Sequence, residues 1–214
     1  MRQFFVVLFF ISLNFSSQSQ GLLGSKQVFS SPSLPSLLAS AKKVAILPFK
    51  VAISYKKMPK GLSTEQIREN EKQESFQLQQ GMYTYLLRKS NEYTVSFQDV
   101  DKTNALMKKS GIIDSFDEIL ADSICKILGV DAIIKSTWNY SKTGSEAGAI
   151  ATAVLLGGLK STASGLLIMQ LHGAKDGEMA WRMSKEMDES AFSSANELME
   201  RMMRKVGRNF PFER

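Results

Sequence analysis

ILGVDAIIKSTW, Ile127–Trp138, decides the fold, because one kind of element ends in it and another begins. Upstream, Leu120, Ile124, Ile127 and Leu128 fall on one face of a helix. Gly129 then stands where a helix needs a residue that accepts the left-handed conformation past its C-terminus. From Val130 to Trp138 the pattern changes to that of a strand. Helices and strands that succeed one another in this way are the grammar of an α/β domain.

Working outward, KKVAILPF (Lys42–Phe49) is a short apolar run bounded by lysines, as a buried strand requires. Pro48 has no N–H, so pairing on one side stops there. Val51, Ile53 and Tyr55 alternate with smaller or polar residues and continue the strand along an edge. Ser63 and Gln66 make a capping box that opens a long helix reaching about Lys89. Its first half, TEQIRENEKQES (Thr64–Ser75), is nearly all polar and projects into water. Its second half buries Phe76, Leu78, Met82, Tyr85 and Leu86 at helical spacing. Tyr93–Phe97 reads as a strand and Asp101–Lys109 as a short helix. Ser115 and Glu118 form a second capping pair.

Toward the C-terminus, LIMQLHGAKDGEMAWRM (Leu167–Met183) carries a hairpin. Leu166–His172 and Glu178–Met187 read as its strands, and Asp176-Gly177 is a strong turn signal between them. Ser194 and Glu197 cap a last helix bearing Ala195, Leu198, Met202 and Val206, which ends before Pro211. The expected fold is α/β (α+β), a single domain over 42–214. Its mixed central sheet has about five strands packed by about four helices.

Residues 1–19 read as a cleaved secretory signal. Arg2 is the basic n-region, Phe4–Leu13 the apolar core, and Ser17 and Ser19 the small residues before the cut. The apolar run is well short of the roughly 20 residues that span a bilayer. Residues 20–41, broken by Pro32 and Pro35, form a Ser/Pro-containing leader that ends in a short helix around Leu34–Ala41. No cysteine follows the apolar core to carry a lipid. The single cysteine, Cys125, cannot form an internal disulfide and reads as a small buried hydrophobe. The protein is therefore expected in the periplasm or outside the cell. Membrane association is expected only peripherally or through a partner.

The formal charge of +6 drops by one when Arg2 leaves with the signal. The lysine pairs Lys42-Lys43, Lys56-Lys57 and Lys108-Lys109 are separate, without the concentrated basic face that nucleic acid binding wants. Nucleic acid is not an expected partner. Nor does any constellation demand covalent chemistry. His172 is the only histidine and sits among apolar residues, as a structural histidine does. One His and one distant Cys do not make a zinc site, and no Gly-x-Ser-x-Gly elbow accompanies them. Gly157–Thr162 (GGLKST) lacks the glycine that must precede the lysine of a phosphate loop. Asp101 reads as an N-cap, not as half of an acid–base pair with Asp99. Met199, Met202 and Met203 fit core packing better than an adaptable binding surface. No catalytic residue, metal or cofactor is expected.

The segment of greatest interest is Ala147–Leu159, inside a Gly/Ala-rich apolar insertion over 141–165. It is too short to span a membrane as a helix and too apolar for a loop in water. Three placements fit it: tucked against its own domain as a short helix, packed on another subunit or partner, or one limb of a transmembrane β-hairpin. The last expects polar and apolar faces to alternate, whereas Ala149, Ala151 and Ala153 oppose Ile150, Thr152 and Val154. Ile150, Val154, Leu155, Leu156 and Leu159 are the candidate partner-binding residues.

The strand ending in Leu-Pro-Phe, the Leu-Gly-Val-Asp-Ala step and the Asp-Gly-Glu hairpin ending at Trp181 resemble, in this order, the curli-secretion-channel (CsgG-like) superfamily. Similar α/β domains occur in the TolB amino-terminal region and in lipoprotein activators of penicillin-binding proteins. The resemblance runs from about Lys42 to Phe212. It implies assembly through protein–protein contacts in the bacterial cell envelope, often as a homo-oligomer or adaptor, with no cofactor and no catalytic residue. Two departures stand out: the lipid-bearing cysteine is missing, and there is room for at most one of the two membrane hairpins of a curli-channel subunit. The expectation is an exported, non-catalytic binding or adaptor protein. A curli-like channel subunit at the outer membrane and an envelope hydrolase are the alternatives.

Overall fold

The computed structural model describes residues 26–55, 58, 61–142, 163–189, 195–206 and 209–214. Within them the chain runs β1 (Gln27–Ser30), α1 (Leu34–Ser40), β2 (Lys43–Ile46), β3 (Lys50–Tyr55), α2 (Thr64–Arg88), β4 (Ser96–Phe97), α3 (Val100–Lys109), α4 (Ala121–Leu128), β5 (Ala132–Lys142), β6 (Ala163–Gly173), β7 (Met179–Glu189) and α5 (Ala195–Val206). The α/β class and the single mixed sheet are those read from the sequence. The described residues hold seven strands and five helices. Strand order is β1-β7-β6-β5-β2-β4, and β3 also pairs with β5. Neighbours are antiparallel from β1 to β5, whereas β2 and β3 run parallel to β5 and β4 runs parallel to β2.

The Leu-Gly-Val-Asp-Ala step and the Lys-Lys-Val-Ala strand prove to be one joint. Gly129 takes φ 64 past the end of α4, which only glycine does without strain. Two residues on, the Asp131 carboxylate accepts from the backbone N–H groups of Lys42 and Lys43 at 2.8 and 2.9 Å. The Asp131 N–H donates to the Lys43 carbonyl at 2.9 Å. Val44–Ile46 then lie in register with Ala132–Ile134. Pro48 interrupts the line. The Leu47 N–H still reaches Ile134, but the Phe49 N–H turns to the carbonyl of Ser75 in α2. Pairing resumes as Lys50–Tyr55 against Thr137–Lys142. Thus β2 and β3 are two lengths of one line beside β5.

Alternation sorts the strands between two cores. Val44, Ile46, Ala132, Ile134, Trp138, Leu167, Met169, Leu171, Trp181 and Met183 face α2 and α5 and form the larger cluster. Leu198, Met199, Met202, Met203 and Val206 of α5 are all at most 2 % exposed, so the methionines are core. Ala45, Leu47 and Ile133 face the other way and meet Met107, Ile124, Cys125 and Leu128 of α3 and α4.

Several local expectations are corrected. Residues 27–30, read as leader, supply β1 on β7, while the short helix expected at the leader's end is α1. Ser115 caps nothing with its side chain: Phe116–Glu118 closes a 3-10 turn, and the helix begins only at Ala121. Leu120, extended at φ −60, ψ 138, therefore leaves the helical face and stands 74 % exposed. The N-cap of α3 is Asp99, which accepts from the Lys102 N–H at 3.0 Å; Asp101 lies in the first turn. Of the Tyr93–Phe97 strand only Ser96–Phe97 pairs with β2, while Tyr93 bridges to Glu213. The Ser63–Gln66 capping box is present from both sides. Ser194 lies outside the described residues, as does Gly157–Thr162.

Candidate interaction surface

Strand β6 is apolar on both sides: Leu167, Met169 and Leu171 alternate with Leu166 and Ile168. Such a run is the mark of a strand covered on both faces. The first three side chains are buried under α2 and α5. Leu166 and Ile168 point the opposite way and belong to neither core cluster. Helices α3 and α4 cover that second face only near β2 and the adjoining parts of β5 and β6. Beyond them, among the described residues, the sheet carries no helix.

Register fixes what shares this bare area. One cross-strand row reads Lys135, Gln170, Arg182 and Phe29. The next is Lys50, Thr137, Ile168, Ser184 and Gln27. The third is Ala52, Asn139, Leu166 and Glu186. Half-buried Leu166 and Ile168 thus sit in a polar frame, with exposed Phe29 (49 %) at one margin. Where β3, β5 and β6 twist past one another, Ala52, Ser54, Asn139, Leu166 and Glu186 line an open hollow of about 450 Å³.

The electrostatics of this face are uneven. Lys50 is bonded to Asp117, and that hydrogen bond holds the Asp117 carboxyl below the usual carboxylate range. Lys135 senses the Asp117 charge, but burial outweighs it and pulls its ammonium below the ordinary lysine range. Gln170 donates through Nε2 to the sulfur of Met179 at 3.3 Å.

Burial pushes the Cys125 thiol up to about 12, so it stays protonated and inert. The ring Nδ1 of His172 is 3.0 Å from the carbonyl of Gly177, and its Nε2 is buried with no hydrogen-bond partner among the described residues. Burial also keeps the imidazole below its usual range. Among the described residues no group of three or more His, Cys, Asp or Glu is placed to hold a metal. No described helix is long and apolar enough to cross a membrane. Ile150, Val154, Leu155, Leu156 and Leu159 lie outside the described residues. The sequence reading passed over the Leu166–Ile168 face, although the unbroken apolar run Leu166–Met169 in β6 was its signal.

No protein-family profile matches the chain, and neither does any curated protein sequence. Solved structures do resemble it. The PelC dodecamer from Paraburkholderia phytofirmans is 13 % identical, with 86 % of this chain and 94 % of that one covered, at a TM-score of 0.41. Lipoprotein GNA1162 from Neisseria meningitidis is 10 % identical over 78 % of this chain and 94 % of that one, at 0.45. The C-terminal domain of LpoB from Escherichia coli is 11 % identical over 74 % and 94 %, at 0.34. At such values the likeness is one of general chain course, and neither family nor function is carried across from it.

Proposed function

We propose that this is an exported, non-catalytic binding or adaptor protein of the bacterial cell envelope, whose docking surface is the bare half of the second sheet face. One observation carries the reading: among the described residues Leu166 and Ile168, on a strand in the middle of the sheet, join neither core. Both are already half-buried, so a partner covering them gains part of the about 1.5–3 kcal/mol that full burial of each exposed side chain would bring. Export is supported by the signal-like pattern of residues 1–19.

Site-specific photo-crosslinking in intact cells tests the reading. A crosslinker at Ile168 should capture a partner protein, and one at the exposed Arg68 of α2 should not. Equal capture from both positions, or none from Ile168, would remove the surface from the account. Fractionation separates the channel alternative. The adaptor reading expects the protein to be released without detergent, and recovery only in detergent-extracted outer membrane would favour a pore subunit.

A further inference from the structure

The bare face has a polarity of charge as well as an apolar centre. Lys135 and Arg182 lie in one cross-strand row with Gln170 between them, two strand spacings or about 10 Å apart. Neither cation has a hydrogen-bond or ion-pair partner among the described residues, while the nearby Asp117 is held by Lys50. Half-buried charges without partners are costly to keep and are ordinarily paired. Ile168 and Leu166 occupy the next two rows along the same strand. The far corner carries Glu186, so the positive charge is confined to the side nearer α4.

We infer that the partner presents an acidic and apolar segment, its carboxylates meeting Lys135 and Arg182 while its apolar side chains cover Ile168 and Leu166. This deepens the docking reading and rests on it. The positive end and the acidic corner at Glu186 would also fix the direction in which the segment lies. Arg182 suits a bidentate carboxylate contact. Lys135 would recover the stabilisation that burial takes from its charged form.

The test combines crosslinking at Ile168 with neutral substitutions that keep the apolar stems, Lys135→Met and Arg182→Gln. The captured peptide, sequenced by mass spectrometry, should be rich in Asp or Glu interleaved with apolar residues. The double variant should lower the crosslinked yield about tenfold or more, as loss of close charge pairs does, with its circular dichroism unchanged. Purified protein should also bind a synthetic alternating Glu/Leu peptide in preference to a Lys/Leu peptide of equal length. Strong capture at Ile168 that ignores the double substitution, or yields a basic or neutral peptide, overturns the acidic partner and leaves the docking surface standing. Equal binding of the two synthetic peptides also overturns the acidic preference. No capture at Ile168 overturns both. Capture of a second copy of this chain through a segment without carboxylates also counts against the inference.

Discussion

A Cβ built on Gly165 would run into Cη2 of Trp138 and sit 2.7 Å from two further ring atoms. The indole lies flat across the glycine, stacks on Tyr140 at 5.5 Å and is wholly buried. Gly165→Ala should therefore destabilise the fold by about 1–3 kcal/mol, the range for an overpacked core, read as a lower denaturation midpoint. An unchanged midpoint would mean that the ring has freedom to move aside. His172 supplies a second test at this scale. Its folded pKa lies below the ordinary 6.5 because of burial, with a further push from Lys135, against the pull of the Gly177 carbonyl. As pH falls through the ordinary value, the unfolded chain takes up the proton first. Stability present above that value is thus lost on acidification, from about pH 7 downward. His172→Gln should flatten this part of the pH–stability curve, and an equally steep curve would assign the loss to other groups.

At the level of elements, the long-period signals were legible and the local ones less so. The α4–Gly129–β5 step and the β6–β7 hairpin follow from apolar spacing and a glycine whose φ is positive, at 64 and 71 for Gly129 and Gly177. Caps were harder to place because several acceptors compete within a few residues. Asp99 and Asp101 both stand at the start of α3, and only geometry shows that the first reaches the Lys102 N–H. Asp99→Ala should cost about 1 kcal/mol of stability and Asp101→Ala much less, and the reverse order would restore the sequence assignment. Strand β1 escaped because four residues are too few for alternation to be seen, and of the expected Tyr93–Phe97 strand only the two residues of β4 pair. Both strands are recruited by partners far along the chain, not by local preference.

For the whole molecule, the core could be read from the sequence and the candidate surface could not. Periodicity shows that β6 is apolar on both sides, but not where α3 and α4 stop. The apolar stretch Ala147–Leu159 drew attention by composition, whereas Leu166 and Ile168 are conspicuous only once both cores are drawn. Their position predicts a separation of folding from binding. Replacing Leu166 and Ile168 together by Asn should move stability by no more than about 1 kcal/mol, since side chains outside the core matter little to it. The same change should abolish partner capture from a crosslinker at Thr137. A collapse of the thermal transition would instead make these two residues part of the folding core.

The interruption at Pro48 divides the sheet in a way that time-resolved deuteration can see. One length of the broken line is clasped by strands on either side, Val44 between Phe97 and Ala132. The other has β5 alone, with the Ile53 N–H satisfied by the Glu71 carboxylate at 2.8 Å. Fraying of the outer length need not unseat the inner one, so Ile46 should keep its proton long after Ser54 and Tyr55 have exchanged theirs. The proline then works as a firebreak, confining motion at one end of the molecule to that end.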